Sequence, residues 1–168
     1  MTKPLCVLVG APGAGKTTVG QLLAQQYGVA FRDTDADIEA AAGKPISDIF
    51  IDEGEPHFRE LESAALAAAL AEHDGVLALG GGAVLAEANR ALLAGHTVAY
   101  LSVELSDAVQ RIGLGAGRPL LALNPRATLR FLLDQRRPLY QEVATVTVVT
   151  DGRGPEEIAQ ELSELLKG

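Results

Sequence analysis

The run Gly10-Ala11-Pro12-Gly13-Ala14-Gly15-Lys16-Thr17 satisfies the spacing G-x-x-x-x-G-K-[ST], and the chemistry this pattern supports is capture of a polyphosphate. Its glycines let successive backbone N–H groups turn toward phosphate oxygens, here those from Gly13, Ala14 and Gly15 through Lys16, Thr17 and Thr18. A helix opening at the lysine adds the partial positive charge of its N-terminus. Lys16 is long enough to reach the β- and γ-phosphates, and the Thr17 hydroxyl is a hard oxygen suited to Mg²⁺. A nucleoside triphosphate with magnesium is the implied ligand. An ordinary glycine-rich turn is the competing reading, and the Lys-Thr pair in register weighs against it.

Phosphate loops usually work with a carboxylate at the end of a neighbouring strand, but after Val-Leu-Ala-Leu this chain has Gly80. The carboxylate must come from elsewhere. Asp33 and Asp35, in Phe-Arg-Asp-Thr-Asp-Ala-Asp, follow a short apolar run and are two residues apart, which puts both on one side of an extended segment. Asp33 is suited to hold magnesium through water and Asp35 to receive a substrate hydroxyl. The spacing equally allows one of Asp33, Asp35 and Asp37 to cap the next helix, Asp37 best of the three.

Gly80-Gly81-Gly82 ends the third apolar run; three glycines in succession suggest backbone that approaches a ligand closely. Arg59 and Glu62 are three apart on a predicted helix, with Glu55 one turn before. An ion-pair ladder on the helix surface explains these three as well as a binding role does. Arg118, between Gly117 and Pro119, sits in the glycine-spaced segment expected to act as a mobile lid, where a closing arginine can neutralise a phosphoryl group in transfer. Arg136 precedes Arg137-Pro138-Leu139-Tyr140, where proline is expected to end or kink a helix. A guanidinium there can grip a carboxylate bidentately. His57, His73 and His96 show no metal-ligand spacing.

These residues need a frame that gathers them at one edge. Apolar runs (Leu-Cys-Val-Leu-Val-Gly, Phe-Arg-Asp, Gly-Val-Leu-Ala-Leu-Gly, His-Thr-Val-Ala-Tyr-Leu-Ser and Thr-Val-Thr-Val-Val-Thr) alternate with segments of helical period: Gly15 to Tyr27, stretches between Ala36 and Ala71, Leu85 to Ala94, Leu105 to Ile112, and Pro155 to Leu166. Continuous apolar runs are those of buried parallel strands. A three-layer α/β/α sandwich with a five-stranded parallel sheet follows, with ligands expected outside the carboxyl ends of the strands.

The 168 residues, 48% of them hydrophobic, suit one domain spanning 1–168. No window approaches the ~20 apolar residues of a bilayer span, and no leader is expected, so the protein is read as intracellular and cytoplasmic. Cys6 is the sole cysteine and is expected to be a buried apolar residue. A net charge of −8 and 4% aromatics oppose nucleic-acid binding. Charge is uneven, however: the stretch from Arg111 to Arg137 carries +5 and the remainder −13. A cationic zone within an acidic chain suggests a small anionic ligand.

In this order, the loop Gly10–Thr17, Asp-Thr-Asp, the run from Gly43 to Glu62, Gly-Gly-Gly, Arg-Pro-Leu-Leu and Arg-Arg-Pro-Leu-Tyr resemble shikimate kinases over nearly the whole chain. The resemblance implies the nucleoside-monophosphate-kinase-like P-loop NTPase fold, with a helical substrate-binding segment around 34–62 and a mobile lid around 113–125. It implies transfer of the ATP γ-phosphoryl group to the 3-hydroxyl of shikimate, with Mg²⁺, by a monomer. The family's roles fall on Asp33 for magnesium, Asp35 for the hydroxyl, Arg59 and Arg136 for the carboxylate, and Gly80, Gly81 and Gly82 for the pocket wall. Arg118 would reach both the transferred phosphate and the nucleotide. Arg111, Arg153 and Pro155 fall near the adenine, and Pro12, Phe50, Phe58 and Glu62 line or support the pocket. Two other readings remain at this stage: a kinase of another small hydroxy acid such as gluconate, and a nucleotide-binding module without turnover.

Overall fold

A computed structural model of the chain describes residues 3–11, 14–103 and 125–167. The expected helix Leu105 to Ile112, Arg111, Arg118, Pro12, Gly13 and all of the expected lid except Pro125 lie outside the described residues.

Five parallel strands form one sheet in the order β2-β3-β1-β4-β5: β1 (Cys6–Val9), β2 (Phe31–Asp33), β3 (Val76–Ala78), β4 (Val98–Ser102) and β5 (Val146–Val149). Each coincides with an apolar run expected to be a strand. Successive side chains leave opposite faces of a strand, and the two cores follow from that alternation. Cys6 and Leu8, with their register partners Val76, Ala78 and Ala99, pack on one side against α1 (Lys16–Tyr27) and α7 (Pro155–Lys167). Val7 and Val9, with Leu77, Val98 and Tyr100, pack on the other against α4 (Glu55–Glu72), α5 (Glu87–Leu93) and α6 (Pro125–Val143). The continuous-burial pattern holds for β1, β3 and most of β4. The edge strand β5 instead alternates, with Val148 buried between exposed Thr147 and Val149.

The helical region between β2 and β3 divides at glycines. α2 (Thr34–Ala42) ends on Gly43 in the left-handed conformation, α3 (Ile46–Glu53) ends on Gly54, and α4 begins there with proline in its first turn. These helices carry a small core of their own, Ile38, Ile46, Ile49 and Phe58. It holds the expected substrate-binding segment against the outer end of the sheet.

Two expectations are corrected. Asp33, not Asp37, caps α2: its carboxylate accepts from Asp35 N at 2.9 Å, because β2 ends there in extended geometry (φ −127°). Asp37 pairs with Arg32 at 2.7 Å. Proline does not end the last long helix either. α6 runs through Pro138, which is exposed. The sequence pattern gives no bounds for this 19-residue helix.

Candidate active site

The loop after β1 is shaped by Gly10, whose φ of 154° and approach to Leu101 O leave no room for a Cβ, 2.7 Å away. Ala14 N donates to Ala11 O, and Gly15, left-handed at φ 90°, opens α1. Lys16 Nζ donates to Gly10 O at 2.7 Å and Ala11 O at 3.1 Å, so the ammonium lies against the loop's own carbonyls. Thr17 and Thr18 are exposed on the first turn of α1.

Thr17 Oγ1 is 3.4 Å from Asp33 Oδ2. Hydroxyl and carboxylate oxygens are the donors Mg²⁺ takes when most of its shell is water and phosphate; the pair fits that ion. Among the described residues no group of three or more His, Cys, Asp or Glu is placed to hold a metal ion. One Asp33 oxygen thus caps α2 while the other faces Thr17.

Asp33 and Asp35 border a cavity of about 400 Å³ with Glu39 and Ile46. Behind Asp35 stands Gly80; a Cβ there would lie 2.5 Å from Asp35 Oδ1. A Cβ on Gly82 would likewise collide with the Arg59 guanidinium. The glycine turn after β3 thus touches both Asp35 from α2 and Arg59 from α4. A side chain at Gly80 or Gly82 would displace the acid or the arginine.

Arg59 realises the ladder and reaches the site together. Its Nη2 and Nε meet Glu55 Oε2 at 3.1 and 3.2 Å, and Nη1 meets Glu62 Oε1 at 2.8 Å. The guanidinium lies 5.2 Å over the Phe58 ring, which packs on Phe50 at 4.7 Å between centroids. Glu62 is 2% exposed. Burial raises its pKa despite Arg59, and Asp35 pushes the same way while Arg136 opposes.

Arg136 is 4% exposed, and its Nε has no hydrogen-bond partner among the described residues. Burial lowers its pKa and the nearby charge of Arg59 adds to that; Tyr140 and Glu62 counter it. The buried Glu62 carboxylate is thus within electrostatic reach of two guanidinium groups that repel each other.

Arg153 follows β5 at the same sheet edge, and Pro155 starts α7. The Arg153 guanidinium pairs with Glu157 at 2.7 Å and Glu161 at 2.6 Å and donates to Val149 O, so its charge is satisfied within α7. Tyr140 received no role from the sequence, although its hydroxyl donates to Gly81 O at 2.5 Å. The signal was present: it stands four residues from Arg136, one helical turn, but the expected break at Pro138 hid that spacing.

The family model for shikimate kinase matches residues 12–167. A shikimate kinase of Salinispora arenicola is 74% identical over 163 residues, 97% of this chain and 98% of the relative. One of Streptomyces avermitilis is 60% identical, covering 99% and 98%. Among solved structures, the shikimate kinase of Acinetobacter baumannii in complex with shikimate superposes with a TM-score of 0.94 at 41% identity, over 99% of this chain and 94% of that one. These matches span nearly the whole chain, and the chain belongs to the shikimate kinase family.

Proposed function

We propose that this enzyme, a small-molecule kinase, transfers the ATP γ-phosphoryl group to the 3-hydroxyl of shikimate through the site described above. The observation that carries the residue assignment is the pair of guanidiniums, Arg59 against Gly82 of the glycine turn and buried Arg136 within reach of its charge. A cyclic hydroxy acid held by its carboxylate there presents its ring alcohol toward Asp35.

In the reaction the hydroxyl oxygen bonds to the γ-phosphorus, the bond to the β–γ bridging oxygen breaks, ADP leaves, and the hydroxyl proton passes to Asp35. Phosphoryl transfer has a loose transition state, so alignment and charge neutralisation supply most of the acceleration. Backbone N–H groups from Gly13 to Thr18 cradle the phosphates, and Lys16 exchanges its loop carbonyls for β- and γ-oxygens. Thr17 and, through water, Asp33 would hold Mg²⁺, which neutralises those same oxygens. Arg118 neutralises the group in transfer, and Arg111, Arg153 and Pro155 border the base. Phe50 and Phe58 stiffen the wall beneath Arg59.

The enzyme is read as a monomer of the cytoplasm, where ATP and shikimate are both small solutes. No described helix is long and apolar enough to cross a membrane. A non-catalytic nucleotide module would have no use for the acceptor-side acid and arginines. The test is product identification: incubation with ATP, Mg²⁺ and shikimate should yield one monophosphate whose ³¹P–¹H coupling runs to the proton on carbon 3. Coupling to another ring position would overturn the proposed orientation.

A further inference from the structure

Tyr140 is 1% exposed, and its ring stacks on Tyr100 of β4 with centroids 5.0 Å apart. A phenylalanine would fill that apolar layer equally well. The hydroxyl does something else: it donates to Gly81 O at 2.5 Å, the middle carbonyl of the glycine turn. Arg136 stands one turn earlier on α6, and its charge and the Tyr140 phenol act on each other. Burial pushes the phenol up to about 12, so the donating proton stays in place across the physiological range.

Two consequences follow from that one oxygen. The described peptide bonds are all trans, so turning the Gly81 carbonyl toward Tyr140 sends the Gly82 N–H the opposite way, and Gly82 is the residue against the Arg59 guanidinium. On the other side, Arg136 is buried one helical turn from Tyr140, and its Nε has no partner among the described residues. We infer that the Tyr140 hydroxyl is a positioning residue that sets the Arg136 guanidinium and the Gly81–Gly82 peptide together, and thereby the enzyme's affinity for the acceptor carboxylate. The inference rests on the proposed grip of that carboxylate by Arg59 and Arg136.

Tyr140→Phe keeps the ring stack and removes only the oxygen. In steady-state assays it should raise KM for shikimate about tenfold, the scale of a lost hydrogen bond to a charged group, while KM for ATP stays within twofold and kcat falls less than threefold. A double-mutant cycle separates positioning from a general loss of order: in an Arg136→Lys background, Tyr140→Phe should raise KM for shikimate less than threefold further. Thermal unfolding of each variant identifies any that fails to fold; if Tyr140→Phe does, Tyr140→His takes its place, expected to restore part of the affinity by supplying a ring N–H donor. Unchanged KM in a folded Tyr140 variant, an equal rise in KM for ATP, or fully additive effects in the cycle would each overturn the inference while leaving the carboxylate grip standing. Unchanged KM in Arg136→Lys itself would overturn the grip and this inference with it.

Discussion

Thr17, on the first turn of α1, brings its Oγ1 to 3.4 Å from Asp33 Oδ2 at the end of β2, although β3 runs between β1 and β2. Gly80, just past β3, stands against the next acid, Asp35. Because the other Asp33 oxygen caps α2, stability and metal use separate by substitution.

Asp33→Asn keeps a good capping oxygen but not the charge; Asp33→Ala loses both. The alanine variant should lose about 1 kcal/mol of stability in urea unfolding and the asparagine variant much less. Both should need several-fold more Mg²⁺ for half-maximal ADP release. Equal Mg²⁺ requirements in wild type and Asp33→Asn would remove Asp33 from the metal site.

Asp35→Asn should retain nucleotide binding while kcat falls by roughly 10²–10⁴, the range for a lost acid–base group. Gly80→Ala tests the same acid from behind. The new methyl meets only the end of the Asp35 side chain, so the protein should fold and melt near wild type while turnover drops at least roughly tenfold from the displaced carboxylate. Near wild-type turnover in either variant would dismiss Asp35 from the chemistry.

Much of this was legible before any coordinates. The strands of buried parallel sheet are continuous apolar runs, and the phosphate loop announces itself by spacing, so β1 through β5 and the helix at Lys16 fell where expected. Capping was less legible, because it depends on where extended backbone stops: β2 ends at Asp33, and Arg32 draws Asp37 away. Arg59 shows a different difficulty. Its spacing fits a ladder and a binding role alike; the structure shows the ladder, and a guanidinium with five N–H donors keeps the proposed role open. Tyr140 was hidden by proline, since its partnership with Arg136 requires a helix that continues through Pro138 on its wet face.

Alkaline stability follows from two buried acids. The Cys6 thiol rises from 9.0 to about 12 and the Tyr140 phenol from 10.0 to about 12, both chiefly by burial. Folded pKa values above the unfolded ones mean that the native state keeps protons the unfolded chain has lost. Their contribution is complete below pH 9 and disappears as pH rises toward 12. At about 1.4 kcal/mol per pH unit for each group, the unfolding free energy should fall by roughly 4 kcal/mol between pH 8 and 11. Urea midpoints across that range check this, and Cys6→Ala should flatten the slope. A slope unaltered by Cys6→Ala would show that the thiol does not contribute.

The most direct measurement of the central claim is ADP release with ATP and Mg²⁺ against shikimate, quinate, gluconate and AMP. A pocket that joins a triphosphate cradle to a two-arginine carboxylate receptor through Asp35 and the glycine turn should turn over shikimate far faster than any other acceptor in the panel. ADP release that is independent of acceptor, or faster with gluconate or AMP, would contradict it.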